Sequence, residues 1–324
     1  MPADTTDPRA FGDFIQPFQI EALGIRGRLV RLADGLEAAI GPHGYPGAVT
    51  GLLAETVTLA TTLASALKFN GVFTLQTQSD GPVGVLLADV TSEGGFRAYA
   101  HFDAERVATA AAGSDGAPVS RFLGAGYLAF TVDQGPDTDR YQGITELAGG
   151  TLAEYVQGYF RQSEQLETAI IVATADPTAG PTAASDRRAA ALMIQRLPAK
   201  AEAGLSLGDE DDWRRAVILM SSVSADELLD PALTPAGVLY RLYHEDGVRV
   251  FRPKPLFHAC RCSREKVVVT LGSFPRTDIE AMVEDGHITV TCEFCGTDYR
   301  FDEAALAEVF DRAGSGLDRA GASP

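Results

Sequence analysis

Cysteine is nearly absent from this chain of 324 residues: it has four, all between residues 260 and 295. That usage excludes a disulfide framework of the kind a secreted protein of this size would carry, and points to a reducing cytosol. Positive charge is also short. Lys and Arg number 27 against 44 Asp and Glu, a net charge of −17. Phosphate recognition needs a basic face, so general nucleic-acid binding is disfavoured. The first residues, MPADTTDPRAFGDF, have neither the basic start nor the apolar run of a secretory leader. No phosphate-binding loop or dinucleotide glycine motif occurs. No H-x-E precedes a P-C-x-x-C, so a zinc deaminase is unsupported. Gly204-Leu-Ser206-Leu-Gly208 matches the nucleophile-elbow pattern. No strand precedes it, its setting is that of a linker, and it reads as coincidence. No catalytic residue is assigned and no enzymatic activity is expected.

Long apolar runs are scarce too. Residues 48–67, AVTGLLAETVTLATTLASAL, approach membrane-spanning length with a single charge. Five Thr, one Ser and Glu55 lie among them, and Ala and Thr are weakly apolar. Pro46 marks a helix start and Asn70-Gly71 a stop. A helix buried against a sheet is the reading adopted, with no membrane partner.

What is present follows in chain order. Residues 1–13 are expected to be disordered. Residues 18–32 have β character, with bulges expected at Gly24 and Gly27. A short helix is expected at 35–40, followed by the buried helix. Residues 72–78 alternate at period two, Asp80-Gly81 makes a hairpin turn, and 83–91 and 96–102 return as strands. This antiparallel meander carries Gln76, Gln78, Arg97 and His101 at polar positions. A short helix is expected over 105–112, then strands at 127–132 and 141–146 across a Gly-Pro-Asp turn. Residues 151–164 form an amphipathic helix with Leu152, Tyr155, Val156, Tyr159 and Phe160 on one face. Strands at 168–174 and 189–197 flank a turn region at 176–186.

The fold class expected is α+β: a large mixed domain over 1–206, a helical linker over 207–254, and a small zinc-binding domain over 255–324 with a disordered tail. The linker helices, at 213–222, 225–229 and 235–243, have modest apolar faces and no core of their own. They must lean on a neighbour to stay folded. Pro253-Lys254-Pro255 reads as a break. Beyond it, helices are expected at 263–271, 277–284 and 304–310, and a strand at 288–291.

The four cysteines form two close pairs, Cys260-Arg-Cys262 and Cys292-Glu-Phe-Cys295. Two pairs separated by a short folded segment present four thiolates to one tetrahedral metal, and Zn²⁺ is the default for such a set in the cytosol. From spacing alone, a purely structural zinc site is the commoner outcome. Four thiolates already complete a tetrahedron, so His258 is read as a neighbour of the site and His287 as a surface or strand-start residue.

The chain as a whole resembles a known family. C-x-C-S-R-E at Cys260, a helical spacer and C-E-F-C-G-x-x-Y-x-F from Cys292 resemble the zinc-binding end of the 33 kDa chaperonins, the redox-regulated heat-shock holdases. Tyr159-Phe160-Arg161-Gln162-Ser163-Glu164-Gln165 resembles that family's Y-F-x-Q-S-E-Q element. Leu239-Tyr240-Arg241-Leu242-Tyr243-His244-Glu245 resembles its linker helix, and residues 68–76 with Gly81-Pro82 its early hairpin. The resemblance implies an ATP-independent chaperone, idle when reduced and zinc-bound, active after oxidation and partial unfolding. It makes Cys260, Cys262, Cys292 and Cys295 both the zinc ligands and the redox switch, forming disulfides on oxidation. Unfolded or misfolded client proteins would be its partners, with room for a homodimer in the oxidised form.

The rival reading is a structural zinc ribbon acting as a nucleic-acid or protein interaction module. Residues 254–324 carry eight Lys and Arg against twelve Asp and Glu, which weighs against nucleic acid. A zinc hydrolase is disfavoured because a closed set of four thiolates leaves no open coordination position.

Overall fold

A computed structural model describes residues 12–113, 118–135, 138–147, 150–175, 187–197 and 210–307. The expectations for residues 1–11, for the turn at 176–186, for the Ser206 motif and for the tail lie outside them. The described chain is α+β and forms two compact units, divided between Ala259 and Cys260.

In the larger unit, strands β1 (Phe14–Ile20) and β2 (Ile25–Leu32) lead to α1 (Asp34–Ile40) and the long helix α2 (Gly47–Ala66). β3 (Val72–Ser79), β4 (Val83–Thr91) and β5 (Gly95–Phe102) follow, then α3 (Ala104–Ala112), α4 (Pro118–Leu123), β6 (Gly126–Asp133) and β7 (Tyr141–Glu146). After α5 (Leu152–Ser163) come β8 (Thr168–Thr174) and β9 (Ala189–Arg196). Three helices succeed them: α6 (Glu210–Ser221), α7 (Ala225–Leu229) and α8 (Pro235–Tyr243). Three short strands end the unit: β10 (Val248–Val250), β11 (Lys254–Pro255) and β12 (Phe257–His258).

Two six-stranded sheets result. One runs β10-β1-β2-β9-β8, with β11 also on β1; the other runs β12-β5-β4-β3-β6-β7. All pairings are antiparallel except the parallel β12–β5 pair. Helix α2 packs on strands of both sheets, which is why it is buried all round rather than along one stripe. Most of its buried hydroxyls find partners inside the helix. Thr56 donates to the Leu52 carbonyl at 2.7 Å, Thr58 to Ala54 at 2.7 Å and Thr62 to Thr58 at 2.6 Å. A span of nearly membrane length is thus the core of a folded domain.

The second face of the first sheet is covered by the linker helices. Trp213, Ala216 and Met220 of α6 and Val238, Leu239, Leu242 and Tyr243 of α8 are buried with Phe18, Ile20, Leu29, Leu192 and Ile194. Helices without a core of their own are held by the sheet they cover. Ser224 and Thr234 cap α7 and α8, each accepting a first-turn backbone N–H.

Several local expectations need correction. Gly24 is not a bulge; at φ 59° it closes the turn between β1 and β2. Gly27 is not a bulge either. It pairs in register with Phe18, and a Cβ there would stand 2.0 Å from the Phe18 ring. The segment around Pro253-Lys254-Pro255 is no simple break, because β10 and β11 add to β1 as short edge strands. Helix α4 was not anticipated. Strand β9, which follows β8 in sequence, lies inside the first sheet between β2 and β8.

The smaller unit holds α9 (Arg264–Leu271), α10 (Arg276–Ala281), and the hairpin of β13 (His287–Thr291) with β14 (Asp298–Asp302). A helical turn at 303–307 follows. The helix expected to reach Glu284 ends at Ala281, and Asp285 at φ 51° with Gly286 at φ 79° turns the chain into β13. Strand β14 was not anticipated.

Candidate metal centre

Both cysteine pairs lie in the smaller unit. Cys260 and Cys262 precede α9, whose N-cap Ser263 accepts the Lys266 N–H at 3.3 Å. The Lys266 ammonium reaches back to the Arg261 carbonyl at 2.6 Å and holds the C-x-C segment against the helix start. Cys292 and Cys295 form the turn of the β13–β14 hairpin. The Cys292 N–H donates to the Thr297 carbonyl at 2.9 Å, and the Gly296 N–H to the Cys292 carbonyl at 2.8 Å, with Gly296 at φ 67°. This tight knuckle directs two thiols to one side.

The turn meets the first pair. Sγ of Cys260 lies 3.7 Å from Cys292, and Sγ of Cys262 lies 3.5 Å from Cys295. All four sulfurs fall within 4.8 Å of one another, and all four residues are half-buried. A tetrahedron with Zn–S bonds of about 2.3 Å has sulfur–sulfur edges of about 3.8 Å. The donor set therefore fits one tetrahedral soft or borderline cation in spacing and in chemistry. Neither His258 nor His287 belongs to the cluster; His287 instead hydrogen-bonds the Asp285 carbonyl and the Arg300 guanidinium.

The four thiols are not equivalent. Burial pushes Cys292 up to about 12 and raises Cys262. Cys295 is lowered to about 7: burial opposes its ionisation, but the hydroxyl and backbone N–H of Thr297 and the neighbouring thiols outweigh it. The Tyr299 hydroxyl donates to Cys262 Sγ at 3.0 Å, and its own ionisation is pushed up to about 12 by that contact. One thiolate forms readily near neutral pH, and a bound dication would displace the remaining protons. Tyr299 and Thr297 were not singled out beforehand. The return strand β14 brings them beside the sulfurs, and only the Tyr in the C-G-x-x-Y-x-F run hinted at it.

The apolar support of the site is small. Among the described residues, Leu271, Ile279, Ile288, Phe301 and Leu306 are its buried apolar side chains. The Arg264 guanidinium lies 4.3 Å over the Phe301 ring and donates to the Arg300 carbonyl at 2.8 Å, tying α9 to the hairpin.

An α+β chain ending in a four-cysteine centre on a hairpin knuckle defines the class of thiol-centre proteins. The family model described as Hsp33 protein matches residues 13–302, and the chain belongs to that family. It is 39% identical over 297 residues to the 33 kDa chaperonin of Caulobacter vibrioides, covering 91% of this chain and 97% of that protein. It is 36% identical over 310 residues to the 33 kDa chaperonin of Azotobacter vinelandii, covering 94% and 96%. In fold it is similar to the crystal structure of the 33 kDa chaperonin (heat shock protein 33 homologue) of Thermotoga maritima. The TM-score is 0.75 at 22% identity, over 94% of this chain and 99% of that one. Family membership supports a chaperone role.

Proposed function

We propose that this chain is a redox-regulated, ATP-independent holdase of the cytoplasm that binds unfolded or misfolded proteins during oxidative stress and is not an enzyme. Cys260, Cys262, Cys292 and Cys295 are its zinc ligands and its switch. Residues 1–206 form the chaperone core, 207–254 the linker and 255–324 the switch.

One observation carries this reading: the four thiols sit in a unit whose own apolar core, among the described residues, is five buried side chains. So small a core is marginal without a cross-link. Zn²⁺, when bound, supplies much of such a unit's folding free energy. The half-buried thiolates are open to a small peroxide. Each close pair of thiolates would give up two electrons to form one disulfide, and one hydrogen peroxide would take them with two protons from solvent to become two waters. Both disulfides together leave no ligand, and the hairpin then loses its anchor. The linker helices add little local stability of their own. Once loosened, they uncover Phe18, Ile20, Leu29 and Ile194 of the first sheet together with their own Trp213, Leu239 and Tyr243. Apolar segments of unfolded clients would bind there. A homodimer in the oxidised state is compatible with such exposed surface.

Replacing Cys292 and Cys295 by Ser tests the mechanism. The variant should suppress aggregation of a thermally unfolding client in dithiothreitol, with light scattering as readout, while wild type in the same buffer is idle. ATP should alter neither. A variant as idle as reduced wild type rejects the switch.

A further inference from the structure

The run from Tyr159 to Gln165 has no part in the switch. It closes α5, and Gln165 stands at φ 51°, a left-handed conformation uncommon for a residue with a side chain. Glu164, just before it, accepts hydrogen bonds from the Tyr159 hydroxyl at 3.0 Å and from the Tyr141 hydroxyl; the two hydroxyls are 2.8 Å apart. Tyr141 comes from β7. Gly143, two residues on, makes the approach between strand and helix possible. A Cβ there would stand 2.3 Å from the Phe130 ring and 2.6 Å from the Tyr159 ring.

Beside this cluster lies a cavity of about 120 Å³. Its floor is Leu63, Phe73, Phe130 and Phe160, all buried. Its exposed rim includes Tyr141 and Glu164. An apolar cavity of roughly 150 Å³ takes up benzene, so this one suits a single aryl ring. Among the described residues Glu164 makes no ion pair. Its carboxylate is held in place by two hydroxyl donors. A fixed, unneutralised carboxylate at the mouth of an aromatic-walled pocket is complementary to a cation.

We propose that this pocket binds an aryl-alkyl ammonium group, with the ring against Phe130 and Phe160 and the ammonium on Glu164. That chemistry occurs in a free aromatic amine and at the amino terminus of a polypeptide beginning with Phe. The pocket is built from α2, the second sheet and α5, so the proposal does not depend on the metal or the redox state.

Calorimetric titration of the full-length, reduced, zinc-loaded protein tests it. 2-Phenylethylamine should bind with Kd on the order of 1 mM, and 2-phenylethanol about tenfold more weakly. Glu164→Gln should bring the amine down to the affinity of the alcohol and leave the alcohol unchanged. Leu67→Trp, at an exposed lining position, should weaken both. A peptide with amino-terminal Phe, run beside its acetylated form, separates the sources. Preference for the free amino terminus assigns a polypeptide; binding of phenylethylamine without it assigns a small amine. Equal affinity for amine and alcohol in wild type overturns the proposal even if Glu164→Gln fails to fold. So does an unchanged amine affinity in a folded Glu164→Gln protein, or no binding of the amine at about 10 mM.

Discussion

The two units of this protein are stabilised in different ways. In the larger one, α2 lies against two sheets with most of its side chains buried, and the linker helices cover the far face of the first sheet. Apolar burial on that scale dominates folding and is indifferent to redox conditions. In the smaller one, five buried apolar side chains among the described residues and a hairpin gather around four thiols. If the proposed zinc is bound, a unit of the second kind gains or loses its fold with one ion, and a unit of the first kind does not. Sensitivity to oxidant can therefore reside in the small unit while the large one stays intact.

The strongest way to break this comparison is to remove the metal. A chelator under reducing conditions should abolish hydrogen-exchange protection across His287–Thr291 and Asp298–Asp302 while leaving β3, β4 and α2 protected. Structural zinc contributes on the order of 10 kcal/mol in small metal-dependent folds, far more than five side chains can replace. Equal protection of the hairpin with and without chelator would mean that the small unit folds on its own core.

The large unit has its own condition-dependent element, a charge rather than a metal. Glu55 lies in α2, where the backbone N–H groups of Leu152 and Ala153 at the start of α5 favour the charged form of its carboxyl. Burial nevertheless raises it from 4.5 to about 7. A carboxyl raised in the folded state contributes stability that is full below its unfolded pKa and is lost as pH rises through the folded value. The large unit should therefore weaken by about 2 kcal/mol between pH 5 and pH 8. Glu55→Gln should flatten that slope in urea melts. If the variant's pH dependence matches wild type, the burial of Glu55 is energetically unimportant.

The covering of the first sheet lies between these extremes. Gly27→Ala would push on the Phe18 ring, which stacks on Tyr243 of α8 with centroids 6.2 Å apart. Overpacking of this kind costs about 1–3 kcal/mol. The loss should be concentrated in the linker, read as faster exchange in Pro235–Tyr243 with α2 unaffected and zinc content unchanged. Uniform loss across the large unit would show that linker and sheet melt together.

These contrasts mark what could be read from the chain alone. The long buried helix and the period-two strands of the second sheet were legible because local pattern and burial agree there. Gly27 was not, because its role is to leave room for a ring on a neighbouring strand, a relation no local pattern encodes. Strands β10 to β12 are two or three residues long and exist only by adding to strands more than 150 residues away in sequence. Their prolines read as breaks because edge positions tolerate proline. The cysteines stood out because no others compete with them. The hairpin that closes the site did not, since Asp298–Asp302 has only Tyr299 and Phe301 as apolar residues among charged ones.

Tyr299 supplies the finest test. Its hydroxyl donates to Cys262 Sγ at 3.0 Å while its ring packs beside the small core. Removing only the hydroxyl leaves the ring, so Tyr299→Phe isolates the hydrogen bond from the packing. A donor to a ligand sulfur draws off electron density, fixes the orientation of the thiolate and lowers its reactivity toward oxidant. The variant should fold with zinc in reducing buffer but hold it about tenfold more weakly in competition with a chromogenic chelator. On exposure to peroxide it should release zinc sooner than wild type, because the Cys262 thiolate is less masked. Weaker binding with unchanged oxidation kinetics would make Tyr299 a positioning residue for the ligand alone. Unchanged values in both would mean that the thiolate takes its hydrogen bond from elsewhere, and that the centre depends on its four sulfurs and the knuckle that gathers them.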